Sequence, residues 1–382
     1  NPEVDIDKLG YQENETDVLV IGGGMAALFA AVKAHDASAK VLMVSKGRLG
    51  TSGMTPFAKG IFIYDPKTAK VSLDDFTATV SRSALGTNNP VYTRQMAEHS
   101  LARVNELKEW GFFNSPLCFN AFNTPIASRN IPIIERVMMT HLIKENGRIA
   151  GAAGFSLDEE NVQFFKAKSV ILCTGAGGFK PNGFPICDLT HDGTIMAYNI
   201  GAKVTGKEWN DGHPGQAENA ADCFTGWHGM FERTPGTTGV EVHHDLGVEI
   251  NYTAYMSGNP VHGGPPGTGK ILQGGPYRPA EFAENRYSGG EGNPPGDGGP
   301  PKEGGAPGPG MAGTPVGGSS AGMAIHKSEG LVPINEKCES TIPGLYAAGD
   351  ALGSYMAGVI YTQVGSSLAG SAVQGAIAAE AA

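Results

Sequence analysis

A chain of 382 residues, 40% of them hydrophobic, is long enough to bury the cores of about two or three domains. Its formal net charge of −10 argues against nucleic acid or an anionic membrane surface as a general partner, although a local cluster of cations could still hold an anionic substrate. No stretch approaches the roughly 18 to 20 apolar residues of a membrane-spanning helix, so we expect no integral membrane segment.

The first residues of the chain and its cysteines indicate where the protein is located and which cofactors it lacks motifs for. The sequence begins at Asn1, and its first residues are polar, which predicts a cytoplasmic protein; an export signal removed before Asn1 would leave the same sequence. The cysteines form no CxxC pair and no CxxCH site, so the sequence predicts no iron–sulfur cluster, c-type haem or other metal site. Their odd number and wide scatter favour reduced thiols that pack as small apolar side chains. They are Cys118, Cys173, Cys187, Cys223 and Cys338.

The first elements in chain order form a βαβ unit. The apolar run from Asp17 to Ile21 predicts a buried strand. A glycine-rich segment follows, then a helix that we expect to run to about His35, and Lys40–Val44 predicts the next strand. This order places the glycines between the first strand and the helix.

These glycines have the spacing of a dinucleotide-binding turn, Gly22-x-Gly24-x-x-Ala27. Gly22 permits the tight turn, Gly24 lets the backbone approach a pyrophosphate, and the small Ala27 lets helix and strand pack closely. Met25 and Ala26 open the helix, whose N-terminus offers free N–H groups and a positive dipole end to phosphates. The pattern therefore predicts that a dinucleotide binds here.

Later segments predict further helices and strands. Phe76–Gly111 is expected to be largely helical, and short strands are expected within Ile134–Phe155 and Val162–Thr174. The end of the chain adds a strand at Gly344–Ala348 and an Ala/Gly-rich helix. A spacing of three predicts one buried face on the long helical segment, formed by Leu101, Val104, Leu107 and Trp110.

The composition changes between these two parts. From Lys207 to about Arg286 the sequence is polar, rich in histidine and rich in turns, and Gly289–Gly310 is dominated by glycine, proline and acidic residues. The latter composition is typical of a flexible segment that cannot bury enough apolar surface to fold alone. We interpret the whole as a nucleotide-binding domain interrupted by an insertion.

The loop after the second strand departs from the pattern of NAD-binding domains. An acidic residue that binds the ribose is expected there, but Ser45 and Lys46 occupy the position. With Thr51–Gly53 and Gly60, this segment resembles the fumarate reductase, succinate dehydrogenase and L-aspartate oxidase flavoproteins, in which Ser-Lys is common at this point. Covalently flavinylated members have a histidine in this loop. Its counterpart here is Gly53, so the resemblance implies non-covalent FAD.

Two further segments resemble the same family. Ala167–Gly178 is similar to its AKxVILATGG strand and turn, and His191–Gly193 follows in the usual place. Ile342–Asp350 is similar to its IPGLYAAGE/D motif, which implies that Asp350 accepts hydrogen bonds from ribityl hydroxyls. Gly365–Leu368 would begin the last helix, whose N-terminus would favour the anionic reduced flavin. The resemblance covers residues 16–206 and 320–382.

The resemblance implies an α/β fold: an FAD-binding Rossmann-type domain, similar to that of glutathione reductase, interrupted by an α+β capping domain. The bounds we predict are 16–206 and 320–382 for the two parts of the FAD-binding domain and 207–319 for the cap, with its Gly/Pro-rich segment at 289–310. The residues predicted to bind FAD are Gly22, Gly24, Met25, Ala26, Ala27, Ser45, Lys46, Ser52, Gly53, Gly60, Thr174, Gly175, Asp192, Gly349, Asp350, Ser366, Ser367 and Leu368.

In the family, the cap supplies histidine and arginine side chains that bind the substrate. An unsaturated dicarboxylate needs at least two cationic groups, and arginine pairs with a carboxylate through two hydrogen bonds. A solvated loop residue is the alternative for any single cap histidine. The candidates in the cap are His213, His228, His243, His244, His262, Arg278 and Arg286, of which His213, His244, Arg278 and Arg286 are our predicted catalytic residues.

The sequence also departs from the family where the substrate would bind. The family's HGANRLGGNSL segment falls on residues 358–368, and its substrate-binding arginine becomes Thr362, between Tyr361 and Gln363. The cap segment that carries the family's catalytic arginine has no clear counterpart. These differences favour a substrate that is less charged or shaped differently from fumarate, as in more distant members that resemble adenylylsulfate reductase.

The function implied is an FAD-dependent oxidoreductase that reduces an activated C=C bond, or a related two-electron small-molecule substrate. No second nicotinamide-binding glycine motif is present, so the electrons would come from an iron–sulfur or cytochrome partner. Two alternatives stay open: a flavin oxidase or dehydrogenase that oxidises succinate or an amino acid, and an electron-relay protein without a substrate of its own.

Overall fold

The computed structural model of the chain describes residues 9–51, 53–55, 61–69, 71–83, 86–113, 118–177, 190–205, 211–212, 215–216, 315–316, 325–327, 330–353, 355–357 and 366–382. The strands in these residues are β1 (Gly10–Ile21), β2 (Val41–Ser45), β3 (Ile133–Glu135), β4 (Val137–Glu145), β5 (Arg148–Ser156), β6 (Asn161–Leu172), β7 (Val204–Thr205), β8 (Asp211–Gly212), β9 (Gly215–Gln216), β10 (Pro315–Val316), β11 (Ile325–Lys327), β12 (Gly330–Leu331) and β13 (Leu345–Ala347). The helices are α1 (Met25–Asp36), α2 (Leu73–Ser83), α3 (Pro90–Glu109), α4 (Cys118–Ser128), α5 (Asp192–Asn199) and α6 (Ser366–Ala381), with a 3₁₀ turn at Gly349–Leu352.

A mixed sheet in the order β3-β2-β1-β6-β5-β4 carries the fold, and β13 also pairs with β6. The central strand β1 is parallel to β2 and to β6, and Ile21 lies opposite both Val44 and Leu172. The last residues of β1 are fully apolar and buried, as expected of a strand covered on both faces. The carboxyl ends of β1, β2 and β6 therefore meet at one edge of the sheet.

The long strand β6 joins two kinds of pairing. Its first half is antiparallel to β5, with Phe155 opposite Val162, while its last residues are parallel to β13, with Ala347 opposite Leu172. The strand predicted at Gly344–Ala348 thus returns to the same sheet as the strand predicted at Asp17–Ile21. The turn after β13 consequently lies at the same edge as the glycine turn after β1.

Short antiparallel strand pairs join the segments that precede and follow the predicted cap. β7 pairs with β12, β8 with β11, and β9 with β10. The chain therefore runs outward after residue 203 and returns before residue 332 along adjacent paths. Most of the predicted cap, 207–319, lies outside the described residues, so its bounds stay a prediction.

Helices α1 and α6 pack with their backbones close together. A Cβ atom added at Gly375 would lie 2.3 Å from the carbonyl oxygen of Ala26, so this position requires glycine. Most of α6 is buried, and its Ala/Gly composition follows from this close approach. The contact fixes the N-terminal turn of α1 relative to the last helix of the chain.

The predicted elements are confirmed in type and partly in extent. β1 begins at Gly10, earlier than predicted, because the exposed, polar residues before Asp17 extend its pairing with β6. The helical segment predicted over Phe76–Gly111 is two helices, α2 and α3. Asn89 caps the second of these, since its side chain accepts a hydrogen bond from Val91 N at 3.0 Å. No helix in the described part of the chain is long and apolar enough to cross a membrane.

Candidate functional site

The glycine turn after β1 approaches two neighbouring strands. Gly22 has φ +140°, and its N–H donates to the carbonyl oxygen of Val44 at 2.8 Å. A Cβ atom at Gly22 would lie 2.2 Å from the carbonyl oxygen of Cys173, so no other residue fits between β2 and β6. The predicted need for glycine in a tight turn is confirmed by this geometry.

Helix α1 begins immediately after the turn, with Gly24 as its N-cap residue. Gly24 has no side chain to cap the helix, and the first turn contains no acidic residue. The hydroxyl of Thr55 accepts a hydrogen bond from Met25 N at 3.1 Å. Met25, Ala26 and Ala27 are buried. The turn thus presents bare backbone and the positive end of a helix dipole, as an anion-binding site requires.

The loop after β2 folds back over the glycine turn. The N–H of Gly50 donates to the carbonyl oxygen of Gly23 at 2.8 Å. The carboxylate of Glu135, at the end of β3, accepts a hydrogen bond from Leu49 N at 2.8 Å. Ser45 is buried, and a Cβ atom at Gly23 would lie 2.6 Å from its Oγ. Ser45 therefore occupies the position where an NAD-binding domain carries its acidic residue, directly against the turn.

Lys46 and Asp192 come together from distant parts of the sequence. Lys46 Nζ donates to Asp192 Oδ2 at 2.9 Å and to Thr190 Oγ1 at 2.8 Å. Asp192 is the first residue of α5, where the helix dipole favours a carboxylate. The preceding His191 has φ +58°, and its ring lies where a Cβ atom of Gly177 would be, 1.6 Å from its Cδ2. Two residues predicted separately thus form one ion pair beside the turn.

The segment after β6 adds a buried hydroxyl to this edge. Cys173 N donates to the carbonyl oxygen of Ile21 at 2.8 Å, which continues the sheet by one residue. Thr174 Oγ1 is buried and has no hydrogen-bond partner among the described residues. A Cβ atom at Gly193 would lie 2.0 Å from it, so α5 packs directly on Thr174. Gly175 follows at φ +72°.

The C-terminal motif reaches the same edge. Ala348 N donates to the carbonyl oxygen of Leu172 at 2.9 Å, and Gly349, at φ +67°, turns the chain into the 3₁₀ turn that carries Asp350. At the start of α6, the hydroxyls of Ser366 and Ser367 are buried without a hydrogen-bond partner in the part of the chain that is described. Leu368 is buried beside them.

Of the remaining residues predicted to form the site, most lie outside the described part of the chain. Gly53 is described, at φ +70°. The positions predicted from the sequence that lie outside the described residues are Ser52, Gly60, His213, His228, His243, His244, His262, Arg278, Arg286, Tyr361, Thr362 and Gln363. The predicted substrate-binding side chains therefore stay predictions.

Sequence reasoning missed three residues that shape the site. They are Thr55, which binds the first turn of α1, Glu135, which holds the loop after β2, and Gln374, whose Oε1 accepts a hydrogen bond from Gly349 N at 2.9 Å. Gln374 carried a usable signal, because it is a large polar side chain within an Ala/Gly-rich helix. The other two offered none, since a threonine in a loop and a glutamate at the end of a strand are ordinary.

Two cysteines, Cys173 and Cys338, behave as the sequence predicts. Cys173 and Cys338 are free and buried. Burial raises the pKa of the Cys338 thiol to about 12, and burial likewise raises the pKa of Cys173. Both thiols are therefore protonated at neutral pH and pack as small apolar groups.

The residues at this edge fit a dinucleotide such as FAD. A turn that excludes a Cβ atom at Gly22 leads into a helix whose N-cap residue, Gly24, has no side chain. The buried hydroxyls of Thr174, Ser366 and Ser367 lack hydrogen-bond partners in the described structure. Buried polar atoms are normally hydrogen-bonded, so groups of this kind indicate a bound partner. The arrangement provides backbone N–H donors for phosphates and hydroxyls for a polar ligand.

Comparison with known proteins finds flavoproteins of one family. Residues 17–124 match the family model described as "FAD binding domain". The chain is 28% identical over 237 residues to a protein of Methanothermobacter marburgensis that is one subunit of its fumarate reductase (CoM/CoB), an alignment that covers 52% of this chain and 42% of that protein. The chain is similar to the FAD-binding flavoproteins of the fumarate reductase/succinate dehydrogenase family.

Other flavoproteins show the same similarity. L-aspartate oxidase of Yersinia pestis is 27% identical over 242 residues, which cover 53% of this chain and 45% of that protein. A solved structure of the E. coli quinol fumarate reductase superposes with a TM-score of 0.64 at 19% identity, and the match covers 97% of this chain and 70% of that one. The fold is therefore the flavoprotein fold, while the chain spans less than half the length of the curated relatives it matches.

Proposed function

We propose that this chain binds FAD without a covalent bond and forms the flavin-binding part of an oxidoreductase. In the reaction we favour, a separate redox protein supplies electrons and a small molecule with an activated C=C bond is reduced. The observation that carries the proposal is the convergence of the glycine turn after β1, the Lys46–Asp192 pair and the Asp350 turn at one edge of the sheet. Ligands of doubly wound folds bind at the carboxyl ends of parallel strands.

Specific residues would hold each part of FAD. The backbone from Gly22 to Met25 and the dipole of α1 would bind the pyrophosphate. Asp350 would accept hydrogen bonds from ribityl hydroxyls, and the N-terminus of α6 would favour negative charge on the reduced ring. Bound FAD would supply two-electron chemistry, while the protein binds, orients and shields the reacting groups.

The non-covalent mode rests on Gly53. The family's covalently flavinylated members place a histidine at this position, whereas this chain has a glycine at φ +70°. A β-carbon built at Gly53 would have no described atom within 4 Å, and the glycine itself offers no ring nitrogen that could bond the flavin. We infer that FAD is held by hydrogen bonds and packing alone.

The catalytic groups and the partner are proposals from the resemblance. His213, His244, Arg278 and Arg286 are the candidates to bind the substrate and donate the proton. The relative from Methanothermobacter marburgensis is named as one subunit of a fumarate reductase, which supports a partner protein that delivers electrons. We propose an iron–sulfur or cytochrome protein in that role.

An anaerobic experiment tests the proposal. The purified chain, reconstituted with FAD, is photoreduced, and fumarate and a panel of other enoates are added while the flavin absorbance band is followed. Rapid reoxidation by one compound would establish a reductase and identify its class of substrate. Failure with every enoate would rule out enoate reduction by the chain alone and favour an electron-relay role. If the chain takes up no FAD, the proposal itself is refuted.

One relative supports a second candidate. L-aspartate oxidase of Yersinia pestis aligns with a similar share of the chain at similar identity, which favours an oxidase as the alternative reaction. Air-saturated buffer distinguishes the two in the same instrument, because an oxidase reoxidises its reduced flavin rapidly with O₂. Fast reoxidation by O₂ together with no response to enoates would replace the reductase proposal by this one.

A further inference from the structure

A buried glutamine occupies the last helix of the chain. Gln374 is 2% exposed and lies in α6 among alanine, glycine and valine residues. Its Oε1 accepts a hydrogen bond from Gly349 N at 2.9 Å. A polar side chain this long is rarely buried unless its amide has a specific partner, and here that partner is the turn before Asp350.

The orientation of the amide follows from this hydrogen bond. A backbone N–H can only donate, so the group that faces Gly349 must be the carbonyl oxygen of Gln374 and not its NH₂. The NH₂ group therefore points away from Gly349. Its nitrogen is buried and has no hydrogen-bond partner among the described residues. Two strong donors are thus left for a group that the described part of the chain does not supply.

Gln374 connects three parts of the proposed FAD site. A Cβ atom at Gly349 would lie 3.3 Å from the Cβ of Ala26 and 2.8 Å from Ser371 Oγ. The residue after Gln374, Gly375, lies against the carbonyl oxygen of Ala26. The amide is consequently located where α6, the first turn of α1 and the Asp350 turn meet.

We propose that Gln374 is a positioning residue of the FAD site. Its carbonyl oxygen fixes Gly349 in the left-handed conformation that presents Asp350, and its NH₂ donors are satisfied when FAD, or a water held by FAD, completes the site. The inference rests on the proposed binding of FAD and adds a residue that no motif of the chain predicted.

A comparison of two buried glutamines tests the inference. Gln163 is also buried, at 4% exposure, and its Nε2 donates to Gln12 Oε1 at 3.0 Å and to Asn161 Oδ1 at 2.6 Å. It lies nine residues before the end of β6, about 30 Å from the candidate site. Gln374→Leu and Gln163→Leu therefore remove similar buried amides at different places.

The measurement is the dissociation constant for FAD of each full-length apoprotein, titrated by flavin fluorescence, together with the thermal unfolding temperature without FAD. We expect Gln374→Leu to weaken FAD binding at least about tenfold, equivalent to ~1.4 kcal/mol, and Gln163→Leu to leave it unchanged within about twofold. Equal FAD affinity of the Gln374→Leu and wild-type proteins would overturn the inference. A wild-type chain that does not bind FAD would instead refute the proposed function.

Gln374→Glu separates the role of the donors from that of the carbonyl oxygen. A neutral carboxyl group retains an acceptor and one donor, whereas the carboxylate has no donor. Burial raises the pKa of a carboxyl group, so we expect this variant to bind FAD well at low pH and to lose affinity, relative to wild type, as the pH rises. The Gln374→Leu variant should show no such dependence relative to wild type. If the ratio of the FAD dissociation constants of Gln374→Glu and wild type did not change with pH, the NH₂ donors would play no part in binding.

Discussion

Lys46 Nζ lies 2.9 Å from Asp192 Oδ2, although 146 positions separate the two residues in the sequence. Lys46 follows β2 and Asp192 begins α5, so the ion pair joins the loop after β2 to the helix that packs on Thr174. The pair is partly exposed: the exposed fraction is 36% for the Lys46 side chain and 24% for the Asp192 side chain. Its position beside the glycine turn places it at the edge proposed to bind FAD.

Lys46→Met should weaken FAD binding modestly. The substitution removes a cation and leaves the Asp192 carboxylate near the site proposed for an anionic ligand. A partly exposed ion pair contributes about 1 kcal/mol or less, so we expect up to about a fivefold rise in the dissociation constant, and a smaller difference at high salt. Titration of the apoprotein with FAD at two ionic strengths measures both effects.

Lys168→Met is the matched control for that variant. Lys168 Nζ lies 2.6 Å from Asp17 Oδ1 on the exposed surface of the same sheet and lowers the pKa of that carboxyl group by its hydrogen bond. Loss of this pair should not alter the affinity for FAD. Equal effects of the two substitutions would show that Lys46 acts only through net charge.

Gly22→Ala should abolish FAD binding and destabilise the fold. The new Cβ atom would lie 2.2 Å from the carbonyl oxygen of Cys173, at φ +140°, so β1 and β6 would have to separate. We expect a loss of about 3 kcal/mol or more in the free energy of unfolding, measured by urea denaturation. FAD uptake should be undetectable even where the variant remains folded.

Gly147→Ala shows the cost of the backbone conformation alone. Gly147 lies between β4 and β5 at φ +79°, and a Cβ atom there would have no described atom within 4 Å. This variant should lose only about 1 kcal/mol and bind FAD normally. A loss as large as that of Gly22→Ala would mean that strain, rather than collision with Cys173, explains the first result.

The local pattern predicted the first strand, turn and helix better than it predicted the long-range pairing of the sheet. The run before Gly22 and the spacing of the glycines place β1, its turn and α1 correctly, because these are local features. The early start of β1 at Gly10 was not predictable, since its exposed polar residues are held only by pairing with β6. The hydrogen bond from Gly349 to Gln374 and that from Leu49 to Glu135 join segments 25 and 86 positions apart, which no local pattern encodes.

The Asp36–Arg129 pair predicts a pH dependence of stability. Arg129 donates to both carboxylate oxygens of Asp36, at 2.7 and 3.0 Å, and this hydrogen bonding lowers the pKa of Asp36 in the folded state below its ordinary 3.8. A depressed folded-state pKa stabilises the protein above the unfolded-state value, and this contribution is lost as the pH falls through the folded-state value.

Asp36→Asn should therefore destabilise the protein at pH 7 but much less in acid. Because the pair is partly exposed, the difference in unfolding free energy at pH 7 should be below about 1 kcal/mol. It should shrink as the pH falls from about 4 toward lower values. Thermal unfolding of wild type and Asp36→Asn from pH 7 to below pH 4 measures this difference. A difference in unfolding free energy that did not change with pH would exclude titration of Asp36 as its cause.

Acid precipitation should release all the flavin from the reconstituted protein. Gly53 has no side chain to form a bond with the isoalloxazine ring, and the described thiols, Cys173 and Cys338, are kept protonated by burial. We expect the entire flavin absorbance in the supernatant and a colourless pellet. A fluorescent protein band on a denaturing gel would reveal a covalent bond and contradict the inference from Gly53. Because the glycine itself is the reason for release, wild type and Gln374→Leu should release their flavin equally completely, although they differ in affinity.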